Sequence, residues 1–342
     1  MSSFSEEKEA KRLLTKVFWF FFSKKELLLV FLSFPAAAAE LRVGPGEAYS
    51  RPSEAARVAQ DGDTVLIAPG TYYDCAIWHQ NRLIVAAAAA GVVLSDTACQ
   101  GKAAFVVTGD DVTLRGLTFR RIRVPDGNGA GIRAEGGRLR VQDSRFEENE
   151  LGILAVSGAL SVTGGSFLRN GVAQRGGDIG AGALTALQVQ DGHFAEGRGR
   201  FVIESAAARS ELVGNVITEP AAGPAPAFLI GLSAGVPDLT GNRLLLRRAA
   251  SGRVVVRLDG TQGGRIADTA LENASGASAV LVGDWSAQSP ALVGNRLAAG
   301  DQEISQAGLW RHRAGALLRT VKMGLRQTMH AVFAVFHHMM RL

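Results

Sequence analysis

The stretch Asn128–Gly171, NGAGIRAEGGRLRVQDSRFEENELGILAVSGALSVTGGSFLRNG, says one phrase twice. LRVQDSRFEENELGIL is followed by LSVTGGSFLRNG, which puts Phe146 and Phe167 in the same slot. The slot recurs as Phe119, Phe194, Ile217, Leu244, Leu271 and Leu297, at steps of 27, 21, 27, 23, 27, 27 and 26 residues. A period in the twenties that spans most of a chain marks a solenoid.

Each repeat carries Leu-x-Val or a near relative, a short turn, and then the anchor, as in Leu139-Arg140-Val141, Leu160-Ser161-Val162 and Leu187-Gln188-Val189. Alternation of apolar and other residues is the signature of a strand with one buried face. Gly interrupts the segments too often for helical repeats, and the fixed Asn ladder with helical return of a leucine-rich repeat is not visible. Gly-Asn precedes the anchor at Gly214-Asn215, Gly241-Asn242 and Gly294-Asn295, with Ser144, Gly165 and Gly192 in the Asn position elsewhere. Both residue types tolerate positive φ, so the pair is expected to form a tight corner in each coil. Three short strands per coil, stacked in register, give an all-β, single-stranded right-handed parallel β-helix. Inward Phe, Leu, Ile, Val and Ala form its core.

Charge is uneven along the 342 residues. Residues 1–39 carry a net +2 and residues 310–342 a net +6, which leaves −3 of the total +5 for the body. The basic character thus sits at the ends, and the body is not a nucleic-acid surface. Lys24-Lys25, the apolar run Leu27–Phe34 and Ala36–Ala39 read as a secretory signal cleaved after Ala39. A second apolar patch, Val17–Phe22, admits a membrane anchor as the alternative, although neither run reaches the ~20 residues of a bilayer span. The expected organisation is a signal peptide over 1–39, the β-helix over 40–305 and a basic tail over 306–342. In that tail Arg319, Lys322, Arg326 and His330 share one helical face. This amphipathic helix either caps the open end of the solenoid or contacts a membrane surface through residues 309–342. The protein is expected in the periplasm or outside the cell. The sequence does not fix its oligomeric state.

Arg51–Gln60 reads as a short capping helix with Ser53 as N-cap candidate. Asp61-Gly62-Asp63-Thr64-Val65-Leu66-Ile67-Ala68-Pro69-Gly70-Thr71-Tyr72 follows it as turn, strand, turn. This entry resembles that of the pectin-lyase-like right-handed β-helix superfamily. Gly101-Lys102-Ala103, Asn128–Arg133 and Asn149-x-x-Gly152-Ile153-Leu154 resemble a bacterial group of exported β-helix proteins, over roughly residues 41–300. Cys75 and Cys99, the only cysteines, are 24 apart, about one coil. Neighbouring rungs lie about 4.8 Å apart, so a disulfide is expected in an exported protein.

The resemblance implies polysaccharide chemistry. Lyases need a base and often Ca²⁺ held by carboxylates; hydrolases need paired carboxylates. Between Glu40 and Trp310 there is one lysine, Lys102, and two histidines, His79 and His193. The polar strands of the group it resembles are replaced here by Gly177-Asp178-Ile179-Gly180, Gly199–Ser205 and Phe228-Leu229-Ile230-Gly231. Binding of polysaccharide with weak or no catalysis is therefore the first reading. One alternative is a lyase or hydrolase using Asp126, Arg133 and Glu135; another is a structural or adhesive envelope protein. If Ile132 and Ala134 point inward, Arg133 and Glu135 share the outer face. Asn128, Trp78, Arg200 and Glu204 are the candidate binding residues. No metal-ligand set is evident, and Ca²⁺ is the cation an acidic site would take. Asp110-Asp111 reads as a turn, and Glu147, Glu148 and Glu150 as a solvated corner.

Overall fold

The structure, a computed structural model, describes residues 38–305 except 173–175, 224 and 287. The expected signal segment up to residue 37 and the expected C-terminal helix lie outside the described residues.

One coil shows the plan. The strand Ala130–Gln142 runs along the first face, bends at Gly136-Gly137 and continues along the second. Arg145–Glu147 then forms the third. Leu151–Thr163 and Ser166–Leu168 repeat this path one rung higher. Among the described residues every strand pairs in parallel with its counterpart in the neighbouring coil, and the third face is a sheet of ten strands. The first and second faces share the two long strands and so form one network of 19 strands. The chain is a parallel β-helix, as the repeat requires.

The anchor slot stacks as read. Phe119, Phe146, Phe167, Phe194, Ile217, Leu244, Leu271 and Leu297 are register partners along the third sheet. The rings of Phe119, Phe146, Phe167 and Phe194 lie face to face at 5.3, 4.7 and 4.6 Å. Each buried ring contributes roughly 1.5–3 kcal/mol by area alone, and stacking adds ~1.

The corner three residues before each anchor has φ between 46° and 71°, at Gly116, Asp143, Gly164, Asp191, Gly214, Gly241, Asp268 and Gly294. Here the expectation needs correcting: Gly or Asp takes the left-handed position, and the Asn after it turns inward. Asn215 Nδ2 donates to Val189 O at 2.9 Å and to Asn242 Oδ1 at 3.0 Å, and Asn242 Nδ2 donates to Leu212 O at 2.8 Å. Buried carbonyls at the bend need donors, and a short amide supplies them rung after rung.

The exit corner is not a solvated one. Glu147 is buried between Arg120 and Arg145, and Glu150 Oε2 accepts from Val124 N and Gly129 N at 3.0 and 2.7 Å. Between them Asn149 is wholly buried and donates through Nδ2 to Phe119 O and Asn170 Oδ1. Asn170 in turn donates to Phe146 O and Asp178 Oδ1.

Asp178 is one of the carboxylates buried in the described residues, with Glu219 and Asp284. Position 178 precedes the inward Ile179, yet it also faces in. The equivalent Gly152 would point a Cβ to 2.9 Å from the Phe167 ring, and Val202, Leu229 and Val255 in later coils belong to the core. The Asp178 carboxyl is 1% exposed, and Oδ2 has no hydrogen-bond partner. Burial pushes it up to about 7, against the opposing effect of the Asn170 bond.

The N-terminal end is closed by the helix Pro52–Val58, which buries Ala55 and Ala56. Ser53 is not its cap. Asp74 Oδ2 reaches from the next coil to accept Ser53 N at 2.8 Å, and Glu54 reaches back to Ser50 N at 2.9 Å. Cys75 and Cys99 form the disulfide, with Cα atoms 5.4 Å apart.

Candidate ligand-binding face

The outer surface of the first sheet carries the candidate residues Arg133 and Glu204. One outward column runs, in register, through Ile77, Val106, Arg133, Leu154, Gly180, Glu204, Gly231, Arg257 and Gly283. Because successive rungs are about 4.8 Å apart, Arg133 and Glu204 stand about 14 Å apart and Glu204 and Arg257 about 10 Å.

Ile132 and Ala134 are buried, so Arg133 and Glu135 point outward as the alternation requires. They meet directly: Arg133 Nε is 2.7 Å from Glu135 Oε1, and Lys102 Nζ is 2.8 Å from the same oxygen. The Lys102 bond holds the Glu135 carboxyl below the usual range; Arg133 adds to this, and partial desolvation opposes it. Glu135 is therefore an ionised, occupied carboxylate near neutral pH rather than a proton donor. Asp126 and Asn128 are exposed in the preceding turn, and among the described residues no hydrogen bond joins them to Arg133 or Glu135. The sequence-derived set thus separates into a closed Lys102–Glu135–Arg133 cluster and a free turn.

A second, open arrangement lies higher on the column. A cleft of about 180 Å³ is lined by Arg200, Glu204, Phe228, Gly231, Arg257 and Asp259. Its floor depends on glycine. A Cβ at Gly231 would come within 2.4 Å of the Phe228 ring, and one at Gly283 within 2.5 Å of the Trp285 ring. The missing side chains let both rings lie against the sheet. Arg200 sits 5.9 Å from the Phe228 centroid and 3.8 Å from Glu204; Arg257 sits 5.3 Å from the Trp285 centroid and 3.2 Å from Asp259. Stacking and pairing fix each guanidinium while leaving most of its five donors unused.

The sequence named Arg200 and Glu204 as candidates, and both line this cleft, Glu204 on the strand Ile203–Ser205 and Arg200 just before it. Arg257, Asp259 and Trp285 were not named: they belong to later coils, where loops of changing length hide the register. Trp78 is a correction. It is 0% exposed and packs edge-on against Phe105 at 5.5 Å, so it touches no ligand. Among the described residues no group of three or more His, Cys, Asp or Glu side chains is placed to hold a metal ion, and no helix is long and apolar enough to cross a membrane.

No protein family matches the chain, and no curated protein does. Among solved structures, the complex of the alginate lyase AlyF-OU02 with G6 is similar at 16% identity and a TM-score of 0.39, covering 77% of this chain and 61% of that one. The chain therefore spans less than two thirds of that protein, and a superposition this loose bears on neither substrate nor catalysis. What the fold and its surface define is a parallel β-helix protein with a charged, ring-lined cleft on its first sheet.

Proposed function

We propose that this is an exported, pectin-lyase-like β-helix protein that binds polysaccharide along the outer face of its first sheet, with weak or no catalytic activity. The observation that carries the reading is the Arg200–Glu204 and Arg257–Asp259 pairs flanking the Gly231 floor. Each pair offers donors and acceptors side by side, which suits sugar hydroxyls. The half-exposed Trp285 beside them offers a flat apolar surface to a sugar ring. A cleft of about 180 Å³ is shallow, below the ~300 Å³ of an enclosed small-molecule site, and suits one unit of a chain passing over it.

The same geometry favours binding over turnover. Acid–base catalysis needs a proton carrier poised near working pH. Glu135 is held ionised by Lys102 and Arg133, and neither His79 nor His193 lines the cleft. The test is a panel of acidic and neutral polysaccharides, with and without Ca²⁺, read for binding, for unsaturated products and for new reducing ends. Binding without products, weakened about tenfold (~1.4 kcal/mol) in Arg257→Ala, is the expected result. Products abolished by Asp126→Ala or Arg133→Ala would establish the enzyme reading instead.

A further inference from the structure

A larger opening lies at the N-terminal end of the solenoid, beneath the capping helix. It measures about 590 Å³ and is bounded by Arg51, Ser53 and Arg57 on the helix side, and by Asp74, the Cys75–Cys99 disulfide, His79 and Gln80 on the other. Its volume falls within the ~300–1,000 Å³ of small-molecule sites. Ile77 on its wall is the first residue of the outward column, six rungs and about 29 Å below Gly231.

The walls are fixed. The disulfide ties one to its neighbouring loop. Gln80 Nε2 donates to Ala56 O and Ala59 O at 3.1 and 3.0 Å, which ties the segment after the strand Ala76–Trp78 to the helix. Asp74, the one carboxylate on the lining, already accepts Ser53 N through Oδ2. The cationic side is less committed. Arg57 is exposed and has no carboxylate within 4.0 Å among the described residues, and Arg51 shares Glu54 at 3.4 Å with the Ser50 amide. His79 is exposed, and its Nδ1 lies 2.7 Å from Thr108 Oγ1. That bond orients the ring and leaves Nε2 for a ligand.

We infer that this cleft is a second binding site, for a small ligand bearing an oxyanion such as a uronate carboxylate, held by Arg57 and Arg51 with His79 beside them. Two guanidinium groups over one engaged carboxylate leave the cleft with surplus positive charge. Arg forks match carboxylate and sulfate geometry. The site stands apart from the Gly231 cleft and does not depend on it.

The experiment is titration calorimetry of the full chain with trigalacturonate, with cellotriose as the neutral control and inorganic sulfate as competitor. His79 ring signals, assigned with His79→Gln, are followed by NMR. Trigalacturonate should bind here and shift the His79 signals, sulfate should displace it, and cellotriose should leave those signals unmoved. The Arg51→Gln/Arg57→Gln double variant should lose at least tenfold in trigalacturonate affinity at an unchanged melting temperature, Arg57→Lys should recover part of it, and Arg257→Ala should leave the His79 shift intact. Wild-type affinity in the double variant, an unmoved His79, or sulfate that fails to compete would overturn the inference. A His79 shift that persists while Arg257→Ala abolishes polymer binding would show the two sites to be independent.

Discussion

The third sheet and the first sheet are built by the same turns of the same chain, yet they differ in what varies. On the third sheet the strands are three residues long at Thr118–Arg120, Arg145–Glu147, Ser166–Leu168, His193–Ala195 and Val216–Thr218. One inward anchor and one left-handed corner repeat throughout. On the first sheet strand length changes from three residues at Ile203–Ser205 to six at Arg253–Leu258. Its outward column passes from Val106 through Arg133, Gly180 and Glu204 to Arg257. Uniform rungs carry the packing. The face where the repeat is broken carries unpaired hydrogen-bonding capacity, rings seated on glycine, and both clefts.

That contrast can be broken first at its strongest point. Phe146→Ala removes a ring held between Phe119 and Phe167 and is expected to cost about 3–5 kcal/mol in urea denaturation. A loss under about 1 kcal/mol would mean the ladder is not what holds the third sheet together. Replacing both Cys75 and Cys99 by Ala should cost about 3 kcal/mol on the loop-entropy estimate, seen as a lower melting temperature that reducing agent no longer changes.

Asp178→Asn sharpens the comparison by changing sign with pH. The carboxyl titrates at about 7 in the folded protein and at about 3.9 when unfolded. Its contribution is therefore fully present below about pH 4, drains away as pH rises toward 7, and is flat above that. The span is up to about 4 kcal/mol. Asn keeps the acceptor for Asn170 but brings a buried N–H without a partner, at about 1–3 kcal/mol. The variant should be less stable than wild type at pH 4 and more stable at pH 8. Parallel stability curves at the two values would refute an interior titration at this rung. The smallest effect separates the two faces by function. Arg257→Ala and Arg243→Ala each remove an exposed arginine paired with a carboxylate, on the first and third sheets respectively. Both should change stability by less than about 0.5 kcal/mol, and only Arg257→Ala should weaken polysaccharide binding.

Much of this fold is legible in the sequence. The anchors were legible because every coil must bury something large at one point, and eight register partners fell where the steps put them. The corner was half legible. Gly and Asn share a tolerance for positive φ, and only the interior's need for donors sends Asn215 and Asn242 inward. The exit corner left no mark, because Arg121, Glu148, Arg169 and Glu196 adopt positive φ without being glycine. The outward placement of Arg133 and Glu135 followed from alternation, whereas Lys102 reaches Glu135 from a loop in the preceding coil, beyond the reach of any period. Asp178 was not singled out in the sequence, for a local reason. Two consecutive residues, 178 and 179, face inward, and a strict two-residue alternation puts the first of them on the surface.

A stack in which each rung touches only its neighbours is as strong as its weakest junction. Asp178 sets one such junction in the middle of the array, and proton concentration sets how weak it is. As pH climbs from about 4 toward 7 this junction should open more readily, from within the array instead of from an end. Amide exchange at Ile179 and Ala181 would then quicken with pH beyond the intrinsic chemical rate, while that at Ile132 would not. A molecule built from near-identical turns would in this way acquire a preferred line of fracture.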